Sequence, residues 1–171
     1  MKLGNLLVAG LGVLAAACGA SSITAPGTTA LTAITPDANA VGVDVGGQVV
    51  LTFSGPMMTS MDSMIALHDG DLSGAEVPGH FMWSGGGDSL FFMPDSALMA
   101  GHHYTVHVGG GMLDAAGDTV NFRFAHDSLG CTWATGQMMG GGMMGGRGEM
   151  GRGWQGSNGN YGMTWGFHTT S

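Results

Sequence analysis

The sequence predicts an all-β fold, a single antiparallel β-sandwich of about seven strands. Three observations lead there. Short segments alternate apolar and polar residues with a period of two, as in Val49, Leu51 and Phe53, or Tyr104, Val106 and Val108. Turn-forming clusters separate them: GG at 46–47, DGDLSG at 69–74, GGGD at 85–88, PDSALMAG at 94–101 and GGGMLDAAGD at 109–118. No long helical period interrupts the series between Leu31 and Asp127. Period-two alternation buries one face of a strand and leaves the other to water, which is the habit of antiparallel sheets.

The elements follow in chain order. Residues 1–17 have the three parts of a secretory signal peptide: Lys2 as a positive start, an apolar run from Leu6 to Leu14, and the small residues Ala15, Ala16 and Ala17 before a cut. The apolar run is too short to span a bilayer as a helix. Residues 18–30 begin with Cys18 and continue through the small, Pro- and Gly-punctuated GASSITAPGTTA, which reads as a flexible tether. Residues 31–127 hold the strand candidates Leu31–Thr35, Gln48–Ser54, Met64–His68, His80–Ser84, Ser89–Met93, His103–Val108 and Thr119–Ala125. In the last of these, Val120, Phe122 and Phe124 share a face. Seven short strands with regular turns argue for an Ig-like sandwich.

Residues 128–171 are expected to be a Gly/Met/aromatic-rich tail, largely disordered. From Gln137 the chain runs QMMGGGMMGGRGEMGRGWQGSNGNYGMTWGF, with no sustained period and a high entropy cost of ordering. The stretch NYGMTWGF within it admits a second reading, an extra strand or a segment that docks on a partner.

Two resemblances rest on these residues. Ala15-Ala16-Ala17-Cys18 is similar to the lipobox of bacterial lipoproteins, with Ala15 where that family usually has leucine. This implies cleavage before Cys18 and lipidation of its thiol, a stable anchor when several acyl chains are attached. The second covers residues 34–57 and 88–124. Thr35-Pro36, Val43, Phe53-Ser54, Pro56-Met57, Leu90, Phe92, Pro94, Leu98, Gly101, Tyr104, Val106, Asp114 and Gly117 resemble the bacterial Ig-like domain of the type found in the S-layer protein SbsA. Gly55 and Asp118 depart from that pattern, where an acidic residue and asparagine are usual. Each match has a local reason. Pro94 cannot donate to a ladder and ends a strand. Tyr104 suits a corner at which a buried ring returns its hydroxyl to nearby backbone. Asp114 and Gly117 suit a tight turn.

Charge narrows the partners. Four Lys and Arg stand against twelve Asp and Glu, for a net charge of −8. Such a chain has no electrostatic footprint for nucleic acid or anionic lipid.

Methionine is the unusual component, at 15 residues. Met57, Met58, Met61 and Met64 form one concentration; Met138, Met139, Met143 and Met144 lead a second. Thioethers are soft ligands that select Cu(I), and imidazole suits Cu(II), so the Met-rich segments resemble those of periplasmic copper-handling proteins. In the plainer reading Met57, Met61 and Met64 sit on one helical turn and fill gaps in the core. His103 and His107 lie four strand residues apart, about 13 Å, too far for one metal. Asp69 and Asp71 offer two carboxylates to Ca²⁺, but fall short of the ligands such a site needs. The glycines at 109–112 lack the lysine and helix of a phosphate loop.

No catalytic motif is present: there is no GxSxG, no HExxH, and no nucleophile environment around Cys131. The expected protein is therefore a non-enzymatic lipoprotein of the cell envelope. Its anchor at Cys18 would hold it on a membrane, on a periplasmic or surface face such as that of the outer membrane. Its Ig-like module would serve structure, display or interaction with an envelope protein. The alternative is a soft-metal protein that binds copper through its methionine clusters; otherwise no cofactor is expected.

Overall fold

The computed structural model describes residues 28–134 and 161–171. In them, β1 (Leu31–Thr35), β2 (Val49–Phe53), β4 (Gly79–Trp83) and β5 (Ser89–Pro94) form one antiparallel sheet in the order β1-β2-β5-β4. The second sheet holds β3 (Ile65–Asp69), β6 (His103–Val108), β7 (Thr132–Trp133) and β8 (Met163–His168), in the order β3-β6-β8-β7. The all-β Ig-like sandwich expected from alternation is the fold observed.

The register explains the core. Leu51 pairs with Leu90, and Val49 with Phe92, so their side chains leave the first sheet on its inner face. Across the second sheet Leu67 pairs with Val106, which in turn pairs with Trp165. All of these are buried and belong to one apolar cluster. Full burial of each such side chain stabilises the fold by about 1.5–3 kcal/mol before conformational entropy is charged against it.

Six of the seven strand candidates form strands, within a residue of the expected bounds. The seventh, Thr119–Ala125, does not. Its first half closes turns, with bridges from Thr119 to Leu113 and from Asn121 to Ala30. Its second half enters the short helix α1 (Arg123–Ser128). Val120 and Phe122 are buried as the alternation required, but the phase changes at the helix, where Ala125 becomes the buried residue and Phe124 is exposed. Helical spacing then lets Arg123 pair with Asp127 at 3.4 Å.

The missing strand comes from the segment expected to lie outside the fold. Residues 131–134 and 161–171 belong to the sandwich, and β8 sits between β6 and β7, pairing His103 with His168 through Val108 with Met163. Met163, Trp165 and Phe167 enter the core as a period-two set, so NYGMTWGF takes its strand reading. The Trp165 indole N–H donates to the carbonyl of Pro36 at 3.1 Å, and the Thr169 hydroxyl donates to that of Met99 at 2.6 Å. The last strand is thereby tied to both the entry of the fold and the turn before β6.

Candidate functional site

Among the described residues, His102, His103, His168 and Asp69 gather at the end of the second sheet where β6 begins. The turn that feeds β6 carries Gly101 in the left-handed region, at φ 69°, where a side chain is strained. His103 then falls opposite His168 of β8. Thr169 donates its N–H to the carbonyl of His102 at 3.0 Å. That bond makes His103 and His168 a non-hydrogen-bonded pair, the kind in which facing side chains lie closer. Their ring centroids are 4.7 Å apart, with planes inclined at 48°.

Residues 70–74 fold against the outer face of this sheet. Gly70 donates its N–H to the His103 carbonyl at 2.8 Å and accepts from the Thr105 hydroxyl at 2.6 Å. His68 Nδ1 lies 3.2 Å from the carbonyl oxygen of Gly74, and its ring centroid is 6.4 Å from that of His107. On the other side of the strand ends, His102 Nδ1 lies 3.3 Å from an Asp69 carboxylate oxygen. Asp71 accepts the N–H of Ser73 at 2.8 Å and the Ser73 hydroxyl at 2.5 Å. Those bonds, the hydroxyl's first, hold its carboxyl below the usual range. Asp69 and Asp71 thus face different partners, and the HDGD stretch is a hydrogen-bonded turn. Residues 109–112 likewise form a turn after β6.

The early methionines are divided by the fold. Met57 is buried, while Met61 and Met64 pack half-buried against the core from a 3-10 helix, Thr59–Met64. Met58 is half-buried and donates its N–H to the Leu113 carbonyl at 3.2 Å. Three of the four therefore act as gap-fillers. The segment 1–17, Cys18 and Met138, Met139, Met143 and Met144 lie outside the described residues. Among the described residues no three His, Cys, Asp or Glu side chains converge to hold a metal ion. Cys131 is buried beside the core, and burial pushes its thiol up to about 11.

Sequence reasoning places His168 apart from His102 and His103, and the structure brings it opposite His103. Its signal was present in Met163-Thr164-Trp165-Gly166-Phe167-His168, whose alternation places His168 on the solvent face two positions beyond Gly166.

Two facing antiparallel sheets, a tyrosine corner at Tyr104 and turns built on Asp114 and Gly117 define an Ig-like β-sandwich module. The chain belongs to the bacterial Ig-like domain family, whose model matches residues 24–126. This is a non-catalytic type of module. Solved structures similar to it include the S-layer protein SbsC, residues 31–844, at 16% identity and a TM-score of 0.41 over 55% of this chain and 12% of that one. An L,D-transpeptidase from Mycobacterium smegmatis matches at 23% identity and a TM-score of 0.39 over 55% of this chain and 39% of that one. Native alpha-2-macroglobulin from Escherichia coli matches at 20% identity and a TM-score of 0.42, covering 57% and 30%. The chain thus spans well under half the length of each. No curated protein matches it.

Proposed function

We propose that this chain is an exported cell-envelope lipoprotein, held through Cys18 to a membrane and presenting a non-catalytic Ig-like module for structure, display or contact with another envelope protein. The observation that carries this reading is the order of the chain: a signal-like segment ends at Cys18, and the family match begins at residue 24. The tether of residues 18–30 would separate the lipid from the first strand at Leu31, so the sandwich would stand within reach of the membrane surface on a short flexible leash.

The burial pattern supports a role in presentation. Among the described residues, several large apolar side chains remain exposed, namely Val41, Met82, Met99, Phe124 and Tyr161. On the outer face of the first sheet Met82 is the cross-strand partner of Phe91, which in turn pairs with Val50. A row of that composition, outside the core, suits contact with another protein better than it suits water.

The test is mass spectrometry of the N-terminus of protein purified from membranes, together with fractionation of a Cys18→Ala variant. The expected result is a diacyl- or triacyl-modified Cys18 as first residue, with the variant released to the soluble fraction. An unmodified Cys18, or cleavage elsewhere, would overturn the anchor.

A further inference from the structure

We propose that His103 and His168 form a two-imidazole site for a divalent transition-metal cation, with Cu(II) its strongest occupant. The site is distinct from the methionine clusters and independent of the lipid anchor.

Geometry leads to it. A metal bound to imidazole nitrogen at about 2.0–2.1 Å lies about 3.2 Å from the ring centroid, so two ligands at 90° place their centroids about 4.5 Å apart and at a tetrahedral angle about 5.2 Å apart. The observed separation of 4.7 Å falls between these values. By contrast, the His68 and His107 rings are 6.4 Å apart, and His107 is buried. Imidazole suits Cu, Zn and Ni, and among divalent ions affinity peaks at Cu(II).

The backbone holds the pair in place. Both residues sit on paired strands, so their Cα positions are set by the ladder rather than by a loop. Gly166, two residues before His168, has no side chain on the outer face, and the His103 ring lies across that gap; a Cβ on Gly166 would collide with His103 Nε2. The imidazole torsion is broad and two-fold, so either nitrogen can be turned toward the metal at small cost. His168 is exposed, which leaves an open approach for the ion and for water to complete its coordination.

The experiment is titration of the full chain with Cu(II) in a non-coordinating buffer, read by calorimetry and by electron paramagnetic resonance. The expected result is saturable uptake whose spectrum shows two equatorial nitrogen ligands. His103→Ala and His168→Ala should each weaken that binding by about tenfold or more. Gly166→Ala should weaken it too, by occupying the place of the His103 ring, while His80→Ala on the other sheet should leave it unchanged. Circular dichroism of His168→Ala, an exposed position, reports that the fold is retained. Uptake in both histidine variants equal to that of the unsubstituted chain would overturn the site, as would the absence of saturable binding or of the two-nitrogen spectrum.

Discussion

The indole N–H of Trp165 reaches the carbonyl of Pro36 at 3.1 Å, joining residues 129 positions apart in the chain. One partner lies just after β1 and the other in the middle of β8, so the bond fastens the last strand onto the entry of the sandwich. Trp165 is 4% exposed, and its contact is sealed from water. Trp165→Phe keeps an aromatic ring but leaves the Pro36 oxygen buried without this donor, a loss of about 1–3 kcal/mol. Removing residues 161–171 should be far worse, because β6 would lose one of its two neighbours along its whole length and the core would lose Met163, Trp165 and Phe167. The expected outcome is a lowered urea midpoint for the point variant and no cooperative transition for the truncated chain. A truncated chain that still unfolds cooperatively would show that the first 160 residues suffice.

Legibility in the sequence followed local pattern. β6 lies at the bounds that alternation sets, with Tyr104, Val106 and Val108 on one face, whereas in β1 Leu31 and Ile34 are both buried three positions apart because a bulge between Leu31 and Ala33 shifts the register. The failure at Thr119–Ala125 is one of phase. Val120 and Phe122 obey the strand period, and nothing in the apolar pattern alone shows that the next residues coil into a helix that buries Ala125 in place of Phe124. β8 was obscured by composition. Gly162 and Gly166 flank its inward residues and make it look like the glycine-rich run before it, although Met163, Trp165 and Phe167 keep period two. The His103–His168 pair was illegible for a further reason: it is a product of register, and register is set by the strands' long-range pairing rather than by either strand alone.

The hydroxyl of Tyr104 accepts the backbone N–H of Met99 at 2.8 Å, and its ring stacks on Phe167 at 5.8 Å and 25°. This is the tyrosine corner that Leu98, Gly101 and Tyr104 led us to expect. Tyr104→Phe preserves the buried ring and removes only the acceptor. The expected cost is about 1 kcal/mol, read as a fall in urea midpoint at unchanged m value. A Tyr104→Phe chain as stable as the original would mean that water replaces the hydroxyl at no cost.

Cys131 should be chemically silent while the chain is folded. It is 4% exposed, and burial pushes its thiol up to about 11, so little reactive thiolate exists near neutrality. In a Cys18→Ser chain, a thiol-specific reagent at mildly alkaline pH should give no signal until denaturant is added, and then one thiol should titrate. Linkage sets a further expectation. The folded value lies above the unfolded one, so stability attributable to the thiol is intact below the unfolded value, near 9, and is lost as pH rises toward about 11. Rapid labelling of the native chain would contradict this burial.

Asp114 gives the fold an acid-sensitive turn. Its carboxylate accepts the N–H of Asp118 at 2.9 Å, the hydroxyl of Thr29 at 2.9 Å and the N–H of Ala116 at 3.0 Å. The Asp118 N–H does most to hold the carboxyl below its usual range, helped by Thr29 and Ala116 and opposed by burial. Because the folded value is depressed, protonation is harder in the native state than in the unfolded chain. The resulting stability is present above the unfolded value, about 3.9, and is lost as pH falls through the lower folded value. Asp114→Asn keeps the shape and one acceptor oxygen but cannot titrate. The variant should be less stable than the original at neutral pH, and the gap between the two should narrow as pH drops below about 4, read from urea midpoints across that range. Asp71 and Asp127 are depressed as well and remain in both chains, so the variant should keep some acid sensitivity. A gap that stays constant with pH would assign the turn's stability to the shape of the side chain and not to its charge.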